Sequence, residues 1–139
     1  MSEVKKHLIA VYGTLREGCS NHKLIKDTKY IGSYESKPIF NMYSAGDQYP
    51  MLKLGGTTSV LFEVYEVTDE RLKAVDTLED YSPDRKTYNL YDRKSIYTPY
   101  GEAYFYVYNM SVKGNKKIES GDWKEYIESK PINRITARA

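Results

Sequence analysis

Apolar residues in this chain come in short runs punctuated by glycine and proline, which restricts it to a sheet-rich fold with brief helices. Leu8-Ile9-Ala10-Val11-Tyr12 stops at Gly13 and reads as a buried strand. Residues 29–43 alternate loosely, as an irregular strand, ahead of loops at 46–50 and 55–58. Val60-Leu61-Phe62-Glu63-Val64-Tyr65-Glu66-Val67 is dense in β-branched and aromatic side chains and predicts a further strand. Residues 88–97 and 103–110 predict two more, turned around Pro99-Tyr100-Gly101 as a hairpin, after a loop at 81–86.

Helical signals are brief. Residues 21–26 suit a short helix after a turn at 13–18. Thr68 or Asp69 caps a helix reaching about Glu79, with Asp69 and Glu70 in its first turn. Ser120-Gly121-Asp122 opens a last helix over 123–129, where Glu125 is placed to complete a capping box with Asp122. Residues 131–139 lack periodicity and read as a flexible tail. With 139 residues and no repeat or linker, a single α+β domain spanning 1–139, with its core at about 7–130, is expected.

Composition narrows the partners. Lys and Arg number 21 against 19 Asp and Glu, a net charge of +2, so no clustered basic face for nucleic acid is expected. No apolar run approaches the roughly 18 residues of a membrane span. The five residues 8–12 are too few for a signal peptide, so a cytoplasmic location is expected. One cysteine, Cys19, excludes an internal disulfide and a cysteine-based zinc site, and His7 and His22 leave little for any metal. The outlier is tyrosine, 15 against three Phe and one Trp. Tyrosine buries a ring while keeping a hydroxyl, which suits a sheet or barrel with a partly polar interior.

Three features carry possible chemistry. Gly13, ending the first strand, lets the backbone turn and frees the N–H groups after it for a carboxylate or an oxyanion. The same residues also suit an ordinary strand-ending turn. On the helix from Asp69, Leu72, Val75 and Leu78 share a stripe, and Glu79 falls between Leu72 and Val75. A carboxylate buried there, at the dipole's negative end and near Asp76, has its pKa pushed toward that of a general base. If the helix stops a residue earlier, Glu79 is instead a solvated terminal residue. Tyr104, Tyr106 and Tyr108 share one face of the last strand, with Tyr65 and Tyr88 or Tyr91 as neighbours. Such a ladder packs more often than it lines a cavity, and packing is expected for at least two of the three. Tyr108 is taken with the substrate-binding residues. Arg93 either pairs with an acid on the helix or stays at the surface. Cys19 and His22 are spaced like a nucleophile and base, but no orienting third group stands near, and a surface loop is the simpler reading.

In order, Val11-Tyr12-Gly13-Thr14-Leu15-Arg16-Glu17-Gly18, Asn21-His22, Tyr49-Pro50 and Phe62-Glu63-Val64-Tyr65-Glu66-Val67 resemble the gamma-glutamylcyclotransferase-like superfamily. The match continues through Val75-Asp76-Thr77-Leu78-Glu79-Asp80-Tyr81, Tyr88-Asn89-Leu90-Tyr91-Asp92-Arg93 and residues 103–108, and is similar above all to the gamma-glutamylamine cyclotransferase branch. The resemblance implies a small mixed β-barrel or strongly curled sheet with a few peripheral helices. It implies a binding loop at Tyr12, Gly13, Thr14 and Leu15 and a catalytic glutamate at Glu79. It implies no cofactor or metal, a small-molecule gamma-glutamyl substrate, and a monomer or weak homodimer. The implied reaction is attack of the substrate's α-amine on its γ-carbonyl, releasing 5-oxoproline; a non-catalytic metabolite-binding or regulatory protein using the same cavity is the alternative. Where the family segment reads Glu-Gly-Tyr, this chain has Asp80 in place of the glycine, a further negative charge beside the base.

Overall fold

The computed structural model describes residues 5–85 and 89–130. Lys86 and Tyr88, assigned above to a loop and a strand, and the expected tail at 131–139 lie outside the described residues. Among the described residues the chain runs β1 (Lys6–Val11), a 3-10 turn (His22–Leu24), β2 (Lys29–Glu35), β3 (Phe40–Ala45) and β4 (Tyr49–Leu54). It continues with β5 (Leu61–Thr68), α1 (Asp69–Leu78), β6 (Tyr91–Thr98), β7 (Gly101–Tyr108), β8 (Lys116–Lys117) and α2 (Trp123–Glu128). A five-stranded sheet has the order β2-β5-β1-β7-β6, and a three-stranded sheet the order β4-β3-β8. Adjacent strands are antiparallel except β1 and β7, which run parallel with Ile9 opposite Tyr104.

Side-chain alternation along the large sheet builds two cores. Ala10, Phe62, Val64, Ala103, Phe105 and Val107 face Phe40, Met42 and Leu52 of the small sheet, with Trp123 of α2. Phe62 is fully buried, with Tyr12, Phe40 and Phe105 edge-on at 5.8, 6.1 and 6.1 Å. Its burial contributes about 1.5–3 kcal/mol and each ring pair about 0.5–1.5 more. Ile9, Val11, Tyr65, Val67 and Tyr106 face the opposite way, onto Leu72 and Val75 of α1. Cover on both faces explains why β1 reads as a continuous apolar run.

The β6–β7 hairpin folds back toward β2. Tyr100 donates its hydroxyl to the Ser33 carbonyl at 2.7 Å, and its ring sits where Gly32 has no side chain. A β-carbon on Gly32 would stand 2.4 Å from the Tyr100 hydroxyl oxygen. The sheet curls strongly, but β2 and β6 remain its edges. Of the two expected forms, the curled sheet is adopted and the closed barrel is not.

Residues 29–43 are two strands rather than one, and the expected loop at 46–50 contains the tight turn of a β3–β4 hairpin. Gly46 and Asp47 both have positive φ, 58° and 62°, and Gln48 N–H donates to Ala45 O at 3.0 Å. The turn is tight, with positive φ at both of its central residues, which Gly and Asp allow, and the register of Ala45 opposite Tyr49 leaves residues 46–48 in the connection. Pro50 hides the strand behind it; it is tolerated because β4 is an edge. The expected helix at 21–26 is a single 3-10 turn. α2 has half of its capping box: Asp122 accepts from Glu125 N–H at 3.2 Å, while Asp122 N–H donates to Ser120 Oγ, not to Glu125.

Candidate active site

Glu79 sits at the end of α1, where the chain reverses. Tyr81 N–H donates to Asp76 O at 2.9 Å and Asp80 N–H to Thr77 O at 3.1 Å, with Asp80 left-handed at φ 56°. This is a Schellman cap, in which the residue after the cap takes the left-handed conformation. Asp80 thus occupies a position that calls for glycine, as in the family segment, and Asp is among the few others that tolerate it. Its carboxylate is bound by Arg85 at 3.0 Å. The helix does end at Leu78, one residue short of the expected end, yet Glu79 is not solvated: half-buried, it lines a cavity. Leu78, placed above on the buried stripe, is instead 41% exposed, also at the cavity. Asp80→Gly is expected to raise stability by up to about 1 kcal/mol, and Asp80→Val to lower it by about 1–2 kcal/mol. Urea unfolding of the two variants would contradict the cap if they shift alike.

The loop after β1 forms the facing wall. Gly13 does not have positive φ; what excludes a side chain there is Pro50, whose Cγ would lie 2.6 Å from a β-carbon. Arg16 N–H closes onto Gly13 O at 3.0 Å. Asn21 holds Thr14 twice, through N–H to the carbonyl at 2.8 Å and Nδ2 to Oγ1 at 2.9 Å. Among the described residues, the backbone N–H groups of Gly13, Thr14 and Leu15 donate to no protein acceptor.

Beneath the loop lies a clamp that sequence reasoning missed. Arg16, 5% exposed, reaches Glu63 on β5 at 3.1 Å and Asp122 at the start of α2 at 2.9 Å. Glu63 also accepts from Glu17 N–H at 2.8 Å and Tyr65 OH at 2.9 Å. A long basic side chain in a turn gives no sequence sign of burial; only the fold supplies its partners.

The cavity has a volume of about 500 Å³, within the usual range for small-molecule sites. Tyr12, Gly13, Thr14, Leu15 and Glu79 line it together, with Tyr91 and Tyr106. Tyr12 donates to Tyr106 O at 2.8 Å and Tyr91 to Pro50 O at 2.9 Å. Burial drives the Glu79 carboxyl up to about 7, with the Asp76 carboxylate adding to it. Asp76 is held by Arg93 at 2.6 Å and by the Tyr106 hydroxyl at 2.5 Å. Arg93 therefore pairs with the helix rather than staying free, and lies over the rings of Tyr81 and Tyr104 at 5.1 and 4.4 Å.

Tyr108 is not in the lining. Its ring meets Tyr91 at 5.1 Å, and Lys53 lies over it at 5.9 Å. Tyr106, one alternation earlier on the same face, takes the place expected for it. Two of the three alternating tyrosines pack and one lines the cavity, but which one was not readable from period alone. His22 engages Leu15 O through Nδ1 at 2.8 Å and lies 5.7 Å from the Tyr65 ring at a tilt of 54°, while burial pushes the Cys19 thiol up. Neither arrangement makes an activated nucleophile.

A family profile described as "Gamma-glutamyl cyclotransferase, AIG2-like" matches residues 9–125. A relative from Vibrio cholerae serotype O1 is 40% identical over 118 residues, 85% of this chain and 96% of its own. The "Gamma-L-glutamyl-butirosin B gamma-glutamyl cyclotransferase" of Niallia circulans is 38% identical over 122 residues, covering 84% of this chain and 74% of its own. The solution structure of protein ytfP from Escherichia coli superposes with a TM-score of 0.66 at 35% identity, over 86% of this chain and 97% of its own.

Proposed function

The chain belongs to the gamma-glutamyl cyclotransferase, AIG2-like family, and from that premise we propose that its cavity converts gamma-glutamyl amides into 5-oxoproline. The observation that carries the reading is one cavity lined by both Glu79, with its raised pKa, and the loop bearing free N–H groups. The substrate brings its own nucleophile. Its α-nitrogen loses a proton and bonds to the γ-carbonyl carbon, while the bond from that carbon to the amide nitrogen breaks. Oriented intramolecular attack of this kind is worth about 7–11 kcal/mol. Glu79 takes protons from the attacking nitrogen and delivers them to the departing one, so the amine leaves with hydrogens balanced. The N–H groups of residues 13–15 are the donors for the oxygen that becomes negative.

A panel of gamma-glutamyl amides and gamma-glutamyl amino acids, assayed for 5-oxoproline, tests this directly. Release from none of them by the folded protein would leave metabolite binding as the reading of the cavity. The pH profile adds a second check. Glu79 acts as its anion, so kcat/KM is expected to fall about tenfold per unit as pH drops below about 7. Removing the Asp76 charge with Asp76→Asn should move that limb toward acid. A profile flat down to the ordinary glutamate value of 4.5 would exclude Glu79 as the base. On stability the sign is opposite: the folded state binds this proton more tightly. Its contribution is complete below the ordinary value of 4.5 and lost as pH rises through about 7.

A further inference from the structure

Beside the cavity of Glu79 is a second one of about 380 Å³, and the two share Thr14, Ser20 and Gln48 as a common wall. Its remaining walls include Gly18 and Cys19 of the loop, Asp47 of the β3–β4 turn, and Trp123, Lys124 and Ile127 of α2. If the gamma-glutamyl half of a substrate occupies the first cavity, the group on the far side of the scissile bond is directed across that wall.

The charges in the second cavity are unequal in availability. Asp47 is saturated: it accepts from Ser44 Oγ and the Tyr126 hydroxyl, both at 2.8 Å, and pairs with Lys130 at 3.0 Å. Glu128 is exposed, where solvent and salt screen it. Lys124 differs. It is half-buried, lies over Gly18 with Nζ 3.8 Å from where a β-carbon would stand, and has no carboxylate within 4.0 Å among the described residues. An ammonium with no carboxylate within 4.0 Å among the described residues, set beside an apolar floor of Trp123 and Ile127, fits an anionic group carried on a short apolar stem.

We infer that this second cavity receives the leaving group, and that Lys124 selects leaving groups bearing a carboxylate, that is, amino acids in preference to simple amines. The inference rests on the cyclotransferase reading above. Lys124 determines specificity and touches no reacting atom. Gly18 borders the lysine head, where a β-carbon would meet Nζ and Cε at 3.8 and 4.0 Å, and it is the φ of 86° that calls for glycine in this part of the wall.

The test compares 5-oxoproline release from gamma-glutamyl-alanine and from gamma-glutamyl-ethylamide, which lacks only the carboxylate. The parent is expected to favour the alanine compound by about 10- to 100-fold in kcat/KM, the worth of one hydrogen-bonded charge pair. In Lys124→Met the ratio should collapse to within a few-fold of one, through KM rather than kcat. Lys124→Arg should restore most of it. Equal turnover of both compounds by the parent, or a Lys124→Met protein that keeps the preference, overturns the inference and leaves the cyclotransferase reading standing. Release from neither compound by a folded parent that still acts on other members of the panel overturns this inference alone, and release from no member of the panel overturns both.

Discussion

Glu79→Gln is expected to fold as the parent does and to lose about 10²- to 10⁴-fold in 5-oxoproline release, the usual span for removal of a general base. The amide keeps the size of the side chain but cannot take a proton from the attacking nitrogen. Folding should survive, because the protein already pays to desolvate this carboxylate, which no hydrogen bond or ion pair holds among the described residues. Urea midpoints should therefore be equal or slightly higher above pH 7, where the parent carries the buried anion. Activity within a few-fold of the parent would remove Glu79 from the role and point to another base in the cavity.

Arg16→Met is expected to be the most damaging single change outside the cavity, at about 3–5 kcal/mol, because it strands a buried carboxylate. Glu63 is 8% exposed and would keep only the Glu17 N–H and the Tyr65 hydroxyl as partners. Asp122 would also lose its cation. Its carboxyl is pushed up by burial, but hydrogen bonds from Arg16 and from the backbone of α2 outweigh that and hold it below the ordinary range. Denaturant unfolding measures the loss, and pairing the change with Glu63→Gln should recover a large part of it. A loss below about 1 kcal/mol, or no recovery in the pair, would mean that Arg16 is not the clamp described.

How far the sequence could be read depended on whether the deciding force was local. β1, β5 and α1 were legible because their patterns are self-contained: a run stopped by Gly13, a β-branched segment, a Thr68 cap with acids behind it. Glu79 was legible as a position on a wheel but not as a direction; its turn toward the cavity needs the left-handed Asp80, which periodicity does not show. The β3–β4 hairpin was lost because Pro50 argues against a strand when its edge location is unknown. Tyr106 and Tyr108 are indistinguishable by alternation, and only the third dimension puts Tyr91 and Lys53 against one and the cavity against the other. Lys124 and Arg16 carry the same formal charge in polar surroundings, and nothing in the string of letters tells the half-buried from the buried.

The parallel pairing of β1 with β7 has a consequence for how the protein must be made. β1 is the middle strand of five, and it leaves the ribosome first among them, with Ile9-Ala10-Val11 already committed to a neighbour at Tyr104 that has yet to be translated. β5, at Leu61–Thr68, supplies one edge of β1; the other edge stays open until β7, at Gly101–Tyr108, has also emerged. For that interval the nascent protein presents an apolar, unpaired strand edge of the kind that recruits other copies of itself. Yield in cells should therefore hinge on how quickly the last hairpin arrives, and a pause in translation between residues 68 and 101 should lower soluble protein more than one placed after residue 108.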